Sequence, residues 1–493
     1  MYKIKSVIFI SLCFLCISGF GQKQYYVSTL AGDTTGLYNG LDSNAGYHDS
    51  VGAYALFNSP TGLAIDTAGK YLYVADTRNN VIRKINIASG GLVTTIAGDV
   101  ADLKKGVDSN IGYVNSTNPL KAKFNNPWGV CVDDTGNVYI ADTYNNVIRK
   151  IWVSGKVTTY AGRDSAGTTF VGYVNGPDSA AEFYLPLSLT IDKAGNIYVT
   201  DNGNNAIREI SVSGKVTTVA GHGYDSTGYI DGPLDSAEFE DIYGITLGKA
   251  GDIYVSQFGN GTNAIRRIYN GRVTTYAGFD TTGMDTDVLS ESNVPVGYVN
   301  GRNGAVRGDT LITGVLFNDP TGLAFDTSGN LLIADEYNDA IRIFNAKDSV
   351  VSTFAGNDSL AIPGYLNGPD SVAQFYDPMA IVADKKGNFF VTDLGNNVIR
   401  VISPKPNFTG VQPVVQPLYT LNVFPNPCTD RLNIVSSLNG NATLLDITGR
   451  VIWNTSNFKS PYTLSISAIS PGIYFLRITS QSATEIKKVE VVR

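Results

Sequence analysis

The sequence predicts an all-β chain: a six-bladed β-propeller closed by an N-terminal strand, followed by a small C-terminal β-sandwich. Three observations predict it. The unit Phe57 to Gly98 recurs from Phe124, Phe183, Phe239, Phe317 and Phe375. The composition is rich in Gly, Tyr, Asn, Asp and Thr, with only 3 Met in 493 residues and almost no helix-favouring runs. The sixth unit lacks a fourth strand, and a matching segment stands before the first unit.

Each unit reads as four short strands joined by turns. Gly62 to Ile65 is apolar and ends in the turn Asp66-Thr67-Ala68-Gly69; Tyr71 to Ala75 is β-branched and aromatic and ends at Asp76-Thr77-Arg78-Asn79-Asn80. Asn and Asp suit such turns because they tolerate left-handed backbone and bond to their own main chain. Val81 to Ile85 and Leu92 to Ala97 complete a four-stranded antiparallel meander around Gly90-Gly91. Asp142, Asp201, Asp335 and Asp393 stand where Asp76 stands, and Arg149, Arg208, Arg266, Arg342 and Arg400 where Arg83 stands.

A lone four-stranded sheet leaves two faces uncovered, so such units stack, and radial closure protects their edges. After Ile402 no Val-Thr-Thr-x-Ala-Gly strand follows, whereas Tyr26 to Gly32, YVSTLAG, supplies one. The N-terminal strand is therefore expected to complete the last blade, within a propeller spanning residues 22–403.

The motif P-x-G-(L/V)-x-(I/V/F)-D, followed by G-N-(I/V/L)-Y-V-x-D-x-x-N-N-x-I-R-x-I, resembles the NHL repeat family over roughly residues 26 to 402. The resemblance implies the fold. The family includes binding scaffolds, RNA binders and a few lyases and hydrolases, so it leaves function open.

Residues 1–21 carry Lys3 and Lys5, an apolar run from Val7 to Phe20 and small residues before Gln22, the pattern of a secretory signal peptide. Removing it leaves 35 of the 37 basic residues against 44 acids, a formal charge of −9. An acidic chain without a basic stripe disfavours phosphate backbones, so nucleic acid is not expected as a partner. No transmembrane segment is apparent downstream. Cys131 and Cys428 alone follow the signal and make no disulfide framework; both read as packed thiols.

The connectors repeat too: Gly-Tyr followed by an apolar residue or His and then Asn or Asp occurs at 46–49, 112–115, 172–175, 228–231, 297–300 and 364–367. These tyrosines are expected to pack between blades, the other reading being a ring of aromatic ligand contacts. Short turns fall on one face of the meander, and the second-to-third loops and connectors on the other, which is where recognition is expected. The residues that differ from blade to blade there are Arg78, Tyr144, Phe258, Glu336 and Tyr337 in the loops, with Trp128, Tyr243 and Met379 at the start of first strands. Aromatics and arginine favour binding hot spots. The fourth unit departs most, with Ile242 for Pro, Gln257 for Asp and the added Gly259-Asn260-Gly261-Thr262. The long connector Phe279 to Leu316 after it holds Arg302, Arg307 and Asp309.

Residues 404–420, with Pro404, Pro406, Pro413 and Pro417, read as an extended linker. The remaining residues 421–493 show alternation over Arg431 to Val435, Ala442 to Ile447, Val451 to Asn454, Tyr462 to Ile466, Gly472 to Thr479 and Thr484 to Val492, which suits a sandwich. Phe424-Pro425-Asn426-Pro427, the stretch Asp446 to Val451 containing Gly449, Gly472-Ile473-Tyr474, and Lys487-Lys488 look like the C-terminal sorting domain of type IX secretion cargo. Arg493 is a small departure from that pattern. The resemblance implies recognition by the type IX machinery after passage through the periplasm, with the protein secreted or held on the outer cell surface.

Two readings of the Asp and Arg pattern stand side by side. Each Asp has an Arg at a fixed offset, as a charge-assisted bond tying loop to strand requires; converging carboxylates could instead hold Ca²⁺ through oxygen. No cofactor or metal is otherwise expected. His48 and His222 are the 2 histidines, so a three-histidine zinc site is impossible and no residue is assigned a catalytic role. The expected function is a secreted or cell-surface binding module for a protein or glycan ligand on the connector face. The alternative is a metal-dependent, lactonase-like hydrolase or lyase of the six-bladed class.

Overall fold

Turn chemistry sets the first level of the structure. In the computed structural model, Asp66 Oδ1 accepts from the Lys70 and Tyr71 amides, closing the turn between the first two strands, and Asp133, Asp192, Asp326 and Asp384 repeat the device. Between second and third strands the chain makes one 3₁₀ turn ending in a left-handed residue: Asn80, Asn146, Asn205 or Asp339. The structure describes residues 24–34, 44–103, 110–165, 168–223, 227–259, 263–278, 300–302, 315–356, 363–404, 421–424, 427–436, 439–446, 450–480 and 484–492. The expected signal peptide, the expected linker after Pro404, most of the Phe279 to Leu316 connector, Pro425, Asn426 and Gly449 lie outside them.

Among the described residues, six sheets repeat the meander. Blade 1 comprises Pro60–Ile65, Tyr71–Asp76, Val81–Asn86 and Leu92–Ala97. Blades 2 to 5 begin at Pro127–Val132, Pro186–Ile191, Ile242–Leu247 and Pro320–Phe325. Blade 6 takes Pro378–Ala383, Phe389–Asp393 and Val398–Pro404 from the end of the unit and Tyr25–Ala31 from its beginning. Val27 sits opposite Ile402 in that antiparallel ladder and is fully buried. The N-terminal strand thus completes the last sheet.

Alternating apolar residues of each sheet face its two neighbours. They gather into separate buried clusters between blades 1 and 2, 2 and 3, 3 and 4, 4 and 5, 5 and 6, and 6 and 1, which close a ring. First strands pack side by side round the centre. Glycine makes this approach possible: a β-carbon on Gly129 would lie 2.4 Å from the Leu187 carbonyl oxygen, and one on Gly244 2.0 Å from that of Thr321. The first strands enclose a narrow channel of about 230 Å³ lined by Gly62, Val130, Cys131, Leu189, Ile245 and Leu323 among others. Burial pushes the Cys131 thiol up, so it is a packed, protonated group.

One feature goes beyond the four-strand expectation. Gly176–Pro177, Gly232–Pro233, Gly301–Arg302 and Gly368–Pro369 in the connectors each add a two-residue fifth strand on the outer edge. Proline's missing N–H is harmless there, because an outermost strand has one side without a partner.

The second compact unit is Asn407–Arg493. Its described strands form a three-stranded sheet of Leu421–Phe424, Arg431–Ser436 and Tyr462–Ser465. A four-stranded sheet of Val451–Phe458, Gly440–Asp446, Gly472–Thr479 and Thr484–Val491 completes it. They share one core that includes Leu432, Leu444, Phe458, Leu476 and Val489. Tyr474 anchors its strand by donating to the Ser470 carbonyl at 2.7 Å; Gly472 begins that strand, Lys487 is exposed, and Pro427 lies beside buried Cys428.

Candidate functional site

The repeat arginines occupy the same node in every blade. Arg83, Arg149, Arg208, Arg266, Arg342 and Arg400 are fully buried, and the five with an aspartate bond it at 2.6 to 2.7 Å. The same guanidinium reaches the connectors. Arg149 donates to the Lys123 and Val114 carbonyls and to Asn115 Oδ1 at 2.8 Å. The connector tyrosine and the repeat phenylalanine sandwich it, Tyr113 at 4.7 Å and Phe124 at 5.1 Å from the guanidinium carbon. Tyr47, Tyr113, Tyr173, Tyr229 and Tyr365 thus stack on the arginine of their own blade, where packing between blades is expected from the sequence; Tyr298 lies outside the described residues. The geometry uses Asp76, Asp142, Asp201, Asp335 and Asp393 to fasten connector, loop and third strand together.

Blade 4 reaches the same end by another route. Gln257 Oε1 accepts from Arg266 at 2.8 Å, and the missing charge comes from Asp231, which takes both Nε and Nη2 at 3.2 and 2.7 Å. Blade 1 has a carboxylate at both places, Asp76 and Asp49.

Two more rings join blade to blade on the connector face. The last residue of each loop accepts the backbone N–H of the residue before the next first strand: Asn80 from Asn126, Asn146 from Leu185, Asn205 from Asp241, Asn263 from Asp319, Asp339 from Asp377 and Asn397 from Ser59. Buried hydroxyls add a second set, such as Thr143 to the Pro186 carbonyl and Ser256 to that of Thr321.

Inside these rings, the residues preceding the channel-lining segments are Thr61, Trp128, Leu187, Tyr243, Thr321 and Met379, which places them at the connector-face mouth. Met379, Leu187 and both threonines are buried. Trp128 and Tyr243 are half-exposed and meet at 6.1 Å although they come from blades 2 and 4, and Phe258 extends the row 4.4 Å beyond Tyr243. The fold thus brings three of the eight proposed binding residues into one aromatic row. Burial first, and then nearby Glu336, raises the Tyr243 hydroxyl's pKa; Tyr337, next to Glu336, is 55% exposed. Arg78 and Tyr144 stand exposed on the loops of blades 1 and 2, and no ring contact joins them to that row among the described residues.

The acids around Glu336 escaped the sequence reading. Burial, then Asp377, Asp319 and Asp339, push the Glu336 carboxyl up to about 8. Burial and acid neighbours likewise raise Asp339 to about 7 and Asp319 and Asp377 to about 6. The signal was present: Asp241, Asp319 and Asp377 precede first strands where Ser59, Asn126 and Leu185 stand in the other units. Among the described residues no group of three or more His, Cys, Asp or Glu is arranged to hold a metal ion.

Comparison with known families matches residues 422–492 to a secretion system C-terminal sorting domain and residues 124–151, 183–210 and 317–344 to the NHL repeat. The chain is 27% identical to NHL repeat-containing protein 2 of Homo sapiens over 341 residues, 63% of this chain and 42% of that protein. It is 29% identical to Teneurin-1 of Gallus gallus over 174 residues, 32% of this chain and 6% of that protein. It therefore spans less than half the length of these relatives. Among solved structures, a protein of unknown function from Bacteroides thetaiotaomicron superimposes with a TM-score of 0.52 at 18% identity, over 78% of this chain and 76% of that one. An auxiliary nutrient binding protein from Bacteroides ovatus gives 0.51 at 16%, over 78% of each chain. At these identities the likeness is one of fold.

Proposed function

The chain carries NHL repeats and a secretion-system C-terminal sorting domain, and from that premise we propose that it is a binding module exported by type IX secretion. It acts outside the cell or on its outer surface, and it holds a protein or glycan ligand at the connector-face mouth of the propeller. The observation that carries this reading is the row Trp128, Tyr243 and Phe258. Half-exposed aromatic faces on a rigid ring offer large contact area at small conformational cost. Ion pairing with the arginines commits the repeat aspartates to the scaffold, which supports recognition over carboxylate chemistry at those positions.

The test is a glycan and surface-protein array probed with the full chain, Trp128→Ala and Tyr144→Ala. The expected result is ligand capture lost in Trp128→Ala and kept in Tyr144→Ala, whose side chain stands outside the row. Capture that survives Trp128→Ala, or Ca²⁺-dependent turnover in a lactone and phosphoester screen, would overturn the proposal.

A further inference from the structure

The loop-to-blade joints form a sixfold comparison within one molecule. In five of them the side chain accepting the next blade's N–H is an asparagine: Asn80, Asn146, Asn205, Asn263 and Asn397. In the joint between blades 5 and 6 it is Asp339, whose Oδ1 accepts from the Asp377 amide at 3.0 Å. An amide keeps the same charge at every pH, whereas a carboxyl does not. The surroundings sharpen this difference. Glu336 shares the loop of Asp339 and has Asp319, from the segment leading into the fifth blade, beside it, its amide donating to the Asp319 carbonyl at 3.2 Å; across the joint Asp339 faces Asp377. Asp335 and Asp393 complete the setting, each paired with its arginine, Arg342 or Arg400, at 2.7 and 2.6 Å. Asp241 of blade 4 also bears on Asp319. The two arginines are thus engaged with buried partners, leaving Glu336, Asp319, Asp339 and Asp377 to accumulate negative charge together.

We infer that the joint between blades 5 and 6 is a pH-responsive seam, closed while its carboxyls hold protons and loosened as they give them up. The sign follows from the direction of binding. The Asp377 N–H bond by itself favours the ionised Asp339, but burial and the neighbouring acids outweigh it, so each of these acids holds its proton more tightly folded than unfolded; the closed joint is fully favoured below the ordinary carboxylate range and is weakened as pH rises from there through about 6 to 8. The seam borders the aromatic mouth, since Glu336 also acts on Tyr243. The inference does not depend on what the mouth binds.

Amide hydrogen exchange of the full chain at pH 6 and pH 9, corrected for the intrinsic rate, tests it. Peptides covering the six joints are compared. The Asp377 segment is expected to lose protection by about tenfold more than the other five, the change that one pKa unit represents. Asp339→Asn installs the side chain found at the other joints and is expected to abolish the excess, while Glu336→Gln reduces it. Equal loss at all six joints, or an excess that persists in Asp339→Asn, would overturn the inference.

Discussion

Replacing Asp142 by Asn removes one charge and little volume at a fully buried node. The carboxylate accepts from Arg149 Nη1 at 2.7 Å, Asn145 Nδ2 at 2.9 Å and the Asn125 amide at 2.8 Å. An asparagine presents one carbonyl oxygen and one NH₂, so at least one of these donors meets another donor. The guanidinium keeps its bonds to carbonyls but loses its counter-charge. Breaking a buried pair on one side costs about 3–5 kcal/mol, and the surviving carbonyl acceptors place this case near the lower end, at about 3 kcal/mol. Blade 4 shows the remedy, a neutral Gln257 compensated by Asp231 on the connector. Adding Asn115→Asp in blade 2 copies that arrangement and gives Arg149 Nε, unpaired in blade 2, an acceptor. Because Asn115 is exposed, screening limits the recovery to about 1 kcal/mol. Urea unfolding of the full chain followed by tryptophan fluorescence measures all four corners of the cycle, with Trp128 and Trp152 reporting the propeller. Additive single-mutant effects would refute the claim that the two positions share one arginine.

Two further perturbations address the ring itself. Gly129→Ala drives a β-carbon against the Leu187 carbonyl and is expected to cost about 1–3 kcal/mol in the same assay; Ala380→Gly, at the equivalent position of blade 6 where a side chain already fits, is expected to cost less. Val27→Ala empties buried volume in the closing ladder and is expected to cost about 2 kcal/mol, and an unchanged midpoint would mean that the N-terminal strand contributes little to closure.

Most of the fold was legible because each repeat states its own turns. Asp66 and Gly69 close one, Asn80 another, and the absent fourth strand after Ile402 points to Tyr25–Ala31. The edge strands were not legible, since Gly-Pro pairs such as Gly176-Pro177 carry a turn signal and pair only through tertiary context. The aromatic row was half legible. Trp128, Tyr243 and Phe258 stood out as departures from the repeat, but their meeting depends on blades 2 and 4 reaching toward one axis. The acids were missed for the same reason: Asp241, Asp319 and Asp377 lie far apart in sequence and gather only once the ring is closed. Arg78 and Tyr144 departed from the repeat equally, which shows that variation alone does not bring residues together.

The closing strand also governs when the propeller can come into being. Tyr25–Ala31 is among the earliest parts of this unit to be synthesised, yet its partner Val398–Pro404 is among the last. Joining Val27 to Ile402 across roughly 375 residues, in place of the roughly 10 that separate partners such as Val74 and Arg83 in a hairpin of this chain, costs about 3 kcal/mol more in chain entropy. Contacts so distant in sequence slow folding. Until the sixth blade is made, the N-terminal strand lacks its ladder partner and the inter-blade faces at the two ends of the growing arc lack their cover. The time between synthesis and closure, more than the stability of the finished ring, is then the period in which this chain is most exposed to aggregation and proteolysis.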